Sequence, residues 1–233
     1  MIKVISFKIC PFVQRVTALL EAKEMPYEVE YIHLNNKPDW FLKLSPTGQV
    51  PILVAKNGTA LFESDAIAEY LDDIQPGLEP YISPEQRALD RAWSYQASKH
   101  YLVQCGTMRS SDKETLQEKT ENLEKAFAKV EAKLEKGPYF KGETLSNIDI
   151  AWLPLLYRAD IVERHSGYDF FDPFPKVKAW QREVLKTGLA KKSVSEDFVE
   201  AFSKFYLSDE TYLGRRLKDV SPVGKNKTIS GCC

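Results

Sequence analysis

The sequence predicts an α+β/α chain, a mixed α+β domain followed by an all-helical one. Three observations predict it. Strand and helix patterns alternate through the first third, and an Asn57-Gly58 turn joins two short apolar runs near its end. From Pro84 onward the apolar spacing is nearly all helical.

Taken in order, Ile2 to Phe7 is rich in β-branched residues and reads as a strand. Val13, Val16, Thr17, Leu19 and Leu20 recur at helical spacing, and Pro11 suits a first helical turn. Met25-Pro26 breaks that helix, and Tyr27 to Tyr31 alternates as a second strand. Asn35, Asn36, Lys37 and Pro38 form a loop, with Asp39 expected to cap a short helix over Trp40 to Leu44. Ser45 to Gln49 is a further loop before the strand Val50 to Val54, and Asn57-Gly58 turns the chain into Thr59 to Phe62. Glu63-Ser64-Asp65 then opens a helix through Leu71. This βαβαββα order, its last two strands in a hairpin, is thioredoxin-like.

The composition changes at Gln75 to Pro80. Helices are expected over Pro84 to about Met108 and over Asp112 to Lys136, the second a solvated Glu/Lys-rich face ended by Gly137-Pro138. Ser146-Asn147-Ile148-Asp149 resembles a capping box with Asp in place of Glu, ahead of the apolar run Ile150 to Leu156, where Pro154 is a candidate kink. Two more helices are expected near Pro175–Thr187 and Ser195–Phe205. The expected domains are 1–76 and 85–220, with a linker at 77–84 and a polar, flexible tail at 221–233.

At 233 residues the chain has ample length for such a pair of domains. Its 32 basic and 33 acidic side chains nearly cancel, which argues against general nucleic-acid binding. No stretch approaches the roughly 20 apolar residues of a membrane span, and the first strand begins without a leader-like segment. Cys10, Cys105, Cys232 and Cys233 are too few and too irregularly spaced for a disulfide scaffold, so a reducing cytoplasm is expected. His33, His100 and His165 lack ligand-type spacing, so no metal is expected.

The residue that carries chemistry is Cys10, in Ile9-Cys10-Pro11-Phe12-Val13-Gln14-Arg15. It falls where a strand ends and a helix begins. Unpaired amides and the positive end of the helix dipole favour thiolate there, so a nucleophile with a depressed pKa is expected. A buried structural cysteine is the other reading. The fourth position of a Cys-x-x-Cys dithiol motif that starts at Cys10 is here Val13, so a second thiol must come from elsewhere. Cys105 reads as a core thiol.

Cys10-Pro11-Phe12 with Gln14-Arg15, Asn36-Lys37-Pro38-Asp39-Trp40-Phe41, Gly48-Gln49-Val50-Pro51, Glu63-Ser64 and Ser146 to Asp149 fall in the order of one family. They resemble cytosolic glutathione transferases, most of all the omega-type cysteine branch, over nearly the whole chain. The resemblance implies a glutathione site. Pro51 would be a cis-proline that turns the Val50 backbone toward the tripeptide, an edge-strand proline being the alternative. Ser64 would take the α-carboxylate of the γ-glutamyl end and Glu63 its ammonium, though either could simply cap a helix. Lys37 would meet the glycine carboxylate, or be a solvated surface lysine. Phe12 would pack beside the thiol and Leu34 near the tripeptide, unless both serve the core.

The implied mechanism is thiol transfer. Cys10 attacks an oxidised substrate, such as a glutathionylated thiol or a dehydroascorbate-type oxidant, and forms a mixed disulfide with glutathione that a second glutathione resolves. A second-substrate pocket is expected between the domains, with Trp93, Gln96, His100, Met108, Tyr157, Trp180 and Tyr206 as candidate walls, although an aromatic set at helical spacing is more often core and His100 also reads as a partly exposed helix residue. The same resemblance implies a homodimer. Two other readings stand beside it: a non-enzymatic binding module like the chloride intracellular channel proteins, and a glutathione-dependent dehalogenase or isomerase. Cys232 and Cys233 do not form a prenylation signature of the C-a-a-X type and read as an oxidisable tail.

Overall fold

The computed structural model describes residues 1–79 and 81–219, the side chains of 217–219 excepted. Its elements are β1 (Ile2–Ser6), α1 (Pro11–Ala22), β2 (Tyr27–Tyr31), α2 (Asp39–Leu44), β3 (Ile52–Val54), β4 (Ala60–Phe62) and α3 (Ser64–Ile74). The helices α4 (Pro84–Met108), α5 (Lys113–Lys133), α6 (Asn147–Ser166), α7 (Pro175–Lys186), α8 (Leu189–Lys192), α9 (Phe198–Tyr206) and α10 (Tyr212–Asp219) follow. The expected thioredoxin-like domain followed by helices is therefore present. The tail from about Ser221, with Cys232 and Cys233, lies outside the described residues.

The sheet runs β2-β1-β3-β4. β1 pairs parallel with β2 and antiparallel with β3, which pairs antiparallel with β4. β1 is thus central, and Val4 and Ile5 have no exposed surface. Strands flanked on both faces read as continuous apolar runs, which is why β1 shows no clean alternation. The hairpin turn forms as expected: Gly58 sits at φ 88°, and Asn57 Oδ1 accepts from the Thr59 amide at 3.1 Å. Several boundaries differ from expectation, β3 beginning at Ile52 instead of Val50 and α5 ending at Lys133 instead of Lys136 among them. Pro38, not Asp39, is the residue preceding α2, so Asp39 contributes its charge from inside the first turn. α9 begins at Phe198 after Asp197, three residues beyond the expected start.

Apolar residues of α1, α3, α4 and α6 share one core, so the two halves are packed, not merely tethered. Lys23, at the end of α1, donates to the carbonyls of Gln75 at 3.0 Å and Pro76 at 2.9 Å and pairs with Asp72 at 2.7 Å. That clip fixes where the chain leaves α3. In the helical half, the capping segment is an anchor. Asp149 is wholly buried and accepts from the Ser146 amide (2.8 Å), Ser146 Oγ (2.7 Å), the Phe140 amide (2.8 Å) and Trp180 Nε1 (2.7 Å). One carboxylate so ties the start of α6 to the loop before it and to α7. Burial nonetheless pushes its pKa up, opposed by those donors.

Candidate active site

Cys10 stands at the junction of β1 and α1. Its amide donates to the Phe7 carbonyl at 3.0 Å, closing a turn, and its own carbonyl accepts from Gln14 N at 3.1 Å as the first bond of the helix. Cys10 is the N-cap residue in extended conformation, with Pro11 in the first helical turn. The amides of Phe12 and Val13 point at the sulfur and favour its anion.

The expected depression of the thiol pKa does not follow. Cys10 keeps partial exposure toward a cleft, but dense protein encloses the sulfur on its other sides. Burial pushes the thiol up to about 11, outweighing the amides and the nearby Arg158 guanidinium, which act downward. A local sequence motif carries the helix dipole. It carries no information about desolvation, which is set by the other elements that pack around the turn.

A cleft of about 280 Å³ opens onto this thiol. Cys10, Phe12, Leu34, Lys37, Val50, Pro51, Glu63 and Ser64 all line it, so the eight residues singled out from the sequence converge on one surface. Thr47, Gly48, Gln49, Phe62 and Leu102 complete it. The Val50-Pro51 bond is cis. Ser45 shapes the rim: its Oγ accepts from the Gln49 amide and donates to the Gln49 carbonyl, both at 3.0 Å, curling residues 45–49 over the cleft. Gly48 sits at φ 63°, and a Cβ there would stand 3.8 Å from Lys37 Nζ, so the lysine lies across the turn with its ammonium over the backbone.

On the same cleft, α3 begins at Ser64, which is 4 % exposed, and Glu63 precedes it at φ 65°. No side chain caps this helix, so its first amides remain available to an anion in the cleft. Asp65 in the first turn is instead engaged by Arg15 from α1. The cleft lining thus brings together an ammonium, uncapped helix amides, a hydroxyl, a carboxylate and a thiol. Phe12, Leu34, Phe62 and Leu102 supply apolar walls, and Phe12 packs edge-on against Tyr101 at 5.1 Å.

The seven candidates for a second-substrate wall are placed elsewhere. None lines this cleft. Met108, Tyr157, Trp180 and Tyr206 are buried. Trp180 donates to Asp149 at 2.7 Å, Tyr157 stacks on Phe198 at 5.6 Å, and Tyr206 packs on Phe202 at 4.9 Å. Trp93 packs on Phe140 at 5.2 Å, and His100 Nδ1 lies 2.6 Å from the Gln96 carbonyl one turn earlier. These aromatics are helix-packing residues. Leu102, the α4 residue that does reach the cleft, gave no signal because an exposed leucine on a helix is commonplace. Gln14 and Arg15 of the motif also face inward, Gln14 donating to the Ala190 carbonyl at 3.2 Å and Arg15 to the Ser94 carbonyl at 3.3 Å. Among the described residues no cluster of His, Cys, Asp and Glu is arranged to hold a metal ion, and no helix is long and apolar enough to cross a membrane.

Comparison with known proteins places this geometry. The N-terminal domain model of glutathione S-transferases matches residues 9–74, and the C-terminal domain model matches 74–187. The chain is 31% identical over 213 residues to glutathione S-transferase omega-1 of Sus scrofa, covering 90% of this chain and 87% of that one. It is 30% identical over 190 residues to a probable cytosolic glutathione S-transferase, DHAR1, of Oryza sativa subsp. japonica, covering 78% of this chain and 85% of the relative. The crystal structure of glutathione transferase Omega 3C from Trametes versicolor superposes with a TM-score of 0.72 at 27% identity, over 84% of this chain and 89% of that one. A cleft built around Cys10 on this two-domain frame, together with family models that match residues 9–187 and a relative that covers 90% of the chain, means that the chain belongs to the glutathione S-transferase family, as an enzyme with glutathione for its co-substrate.

Proposed function

We propose that this enzyme is a thiol transferase working through a mixed disulfide between Cys10 and glutathione. The convergence of Cys10 with Lys37, Val50, Glu63 and Ser64 on one cleft carries the reading. The tripeptide lies with its glycine carboxylate at Lys37 and its γ-glutamyl end at the start of α3. There Ser64 and the first helix amides take the α-carboxylate, and Glu63 takes the ammonium. The Val50 backbone pairs with the extended tripeptide, and Phe12 and Leu34 pack against it. The sulfur of glutathione then meets Cys10.

In the first step Cys10, having lost its proton, attacks the glutathione sulfur of a glutathionylated thiol. A Cys10–glutathione disulfide forms and the other sulfur leaves as a thiolate. In the second, a glutathione thiolate attacks the glutathione sulfur of that disulfide, releasing glutathione disulfide and the Cys10 thiolate. Small oxidants of the dehydroascorbate type are reduced by the same pair of electrons, two glutathiones being consumed per turnover. The working form is read as a homodimer in the cytoplasm.

The test is intact-mass measurement after mixing with glutathione disulfide. The expected result is one added glutathione, absent in Cys10→Ser and Cys10→Ala. An adduct that persists in both variants, or a wild-type enzyme with neither adduct nor thiol transfer, overturns the assignment.

A further inference from the structure

Arg158 of α6 is fully buried, yet among the described residues it forms no ion pair. Nη2 donates to the Ile9 carbonyl at 3.1 Å, the carbonyl of the peptide bond that leads into Cys10. Nη1 donates to Gln14 Oε1 at 2.5 Å and to the Pro154 carbonyl at 3.0 Å, and Nε has no partner. Gln14 is held in turn by Ala190 and, at 3.4 Å, by Ser193 Oγ. Every hydrogen-bond acceptor on this cation is therefore neutral. Phe198 adds a ring 5.4 Å from the guanidinium carbon. Burying a cation with no anion beside it is costly, and strongly perturbed buried groups cluster at functional sites.

The titratable groups around it can be named from every packed element. Cys105 and Tyr101 come from α4, Tyr206 from α9, Tyr157 from α6 itself, and Cys10 from the turn into α1. Burial pushes all three phenols upward, so they stay neutral. Of the five, Cys10 alone opens onto the glutathione cleft. We propose that Arg158 is a positioning residue for Cys10, fixing the peptide that presents the thiol and supplying the counter-charge that the thiolate meets as it forms. This rests on the reading of Cys10 as the nucleophile.

The experiment uses a background in which Cys105, Cys232 and Cys233 are serine, so that iodoacetamide reports Cys10 alone. Arg158→Gln is expected to slow alkylation about tenfold at every pH between 7 and 9, giving a parallel profile displaced by about one pH unit. Arg158→Lys, which keeps the charge without the guanidinium fork, is expected to restore most of that rate. A folded Arg158→Gln with an unchanged profile overturns the proposal, and if it still accepts glutathione on Cys10, the thiol-transfer reading survives that failure. A second comparison needs no change at Arg158. Cys10→Asp places a permanent anion at the sulfur's position and should melt above the isosteric Cys10→Asn at pH 7.5. Should the aspartate variant melt lower, the guanidinium is not poised for an anion there.

Discussion

Arg15 and Arg158 are both buried where the two halves of the molecule meet, and they are provided for in opposite ways. Arg15 carries its anion with it: Asp65 of α3 pairs with it, and the Ser94 carbonyl of α4 takes a further bond. Arg158 has only the neutral oxygens of Ile9, Gln14 and Pro154. Satisfied charge at the first site joins α1, α3 and α4 and has nothing left to react with. Unsatisfied charge at the second lies behind the thiol. A counter-ion in the resting state marks a staple, whereas its absence marks a group waiting for one.

The sharpest way to break this contrast is the pH profile of the thiol itself. Since burial holds the Cys10 pKa near 11, its alkylation without glutathione should rise roughly a hundredfold from pH 7 to pH 9. A plateau below pH 8 would mean that Arg158 already holds a thiolate at rest. The sign for stability runs the same way. The folded thiol binds its proton more tightly than the unfolded one, so its contribution is intact below about pH 9 and is lost as pH rises toward 11.

Next in size is Asp65→Asn, which leaves Arg15 buried without an anion. A loss of about 2–3 kcal/mol by denaturant titration is expected, below the fully buried limit because Asp65 is partly exposed. A loss under about 0.5 kcal/mol would erase the distinction between the two arginines. Gln14→Leu removes one neutral acceptor from Arg158 and the tie to Ala190, and should cost about 1–2 kcal/mol by the same measurement. Glutathione affinity should change little, because Gln14 does not line the cleft.

The smallest effect belongs to Glu63, a non-glycine residue in a left-handed backbone at φ 65°. Glu63→Gly should raise stability by about 0.5–1 kcal/mol and weaken glutathione binding, measurable together by thermal melting and calorimetry. Unchanged affinity would remove the carboxylate from the glutathione site.

How much of this was legible beforehand depended on how local the signal was. The turn into α1, the Asn57-Gly58 hairpin and the capping segment at Ser146 are each specified by a few adjacent residues, and each formed where expected. The eight cleft residues were legible because short motifs in the first third mark them. The helical wall was not. Helical spacing tells which residues share a face but not what that face meets, and Trp180 and Tyr206 turned out to meet Asp149 and Phe202. α8 has four residues, too few for a periodic pattern, and α10 lies in a charged stretch that includes Arg215 and Arg216.

The amino-acid order alone determined the βαβαββα unit, the helical half, and the placing of a single thiol at a helix start, because turns, caps and periodicity act over neighbouring residues. Only the packed structure decided how that thiol is charged. Desolvation and the approach of Arg158, 148 positions further along the chain, are properties of elements brought together from afar.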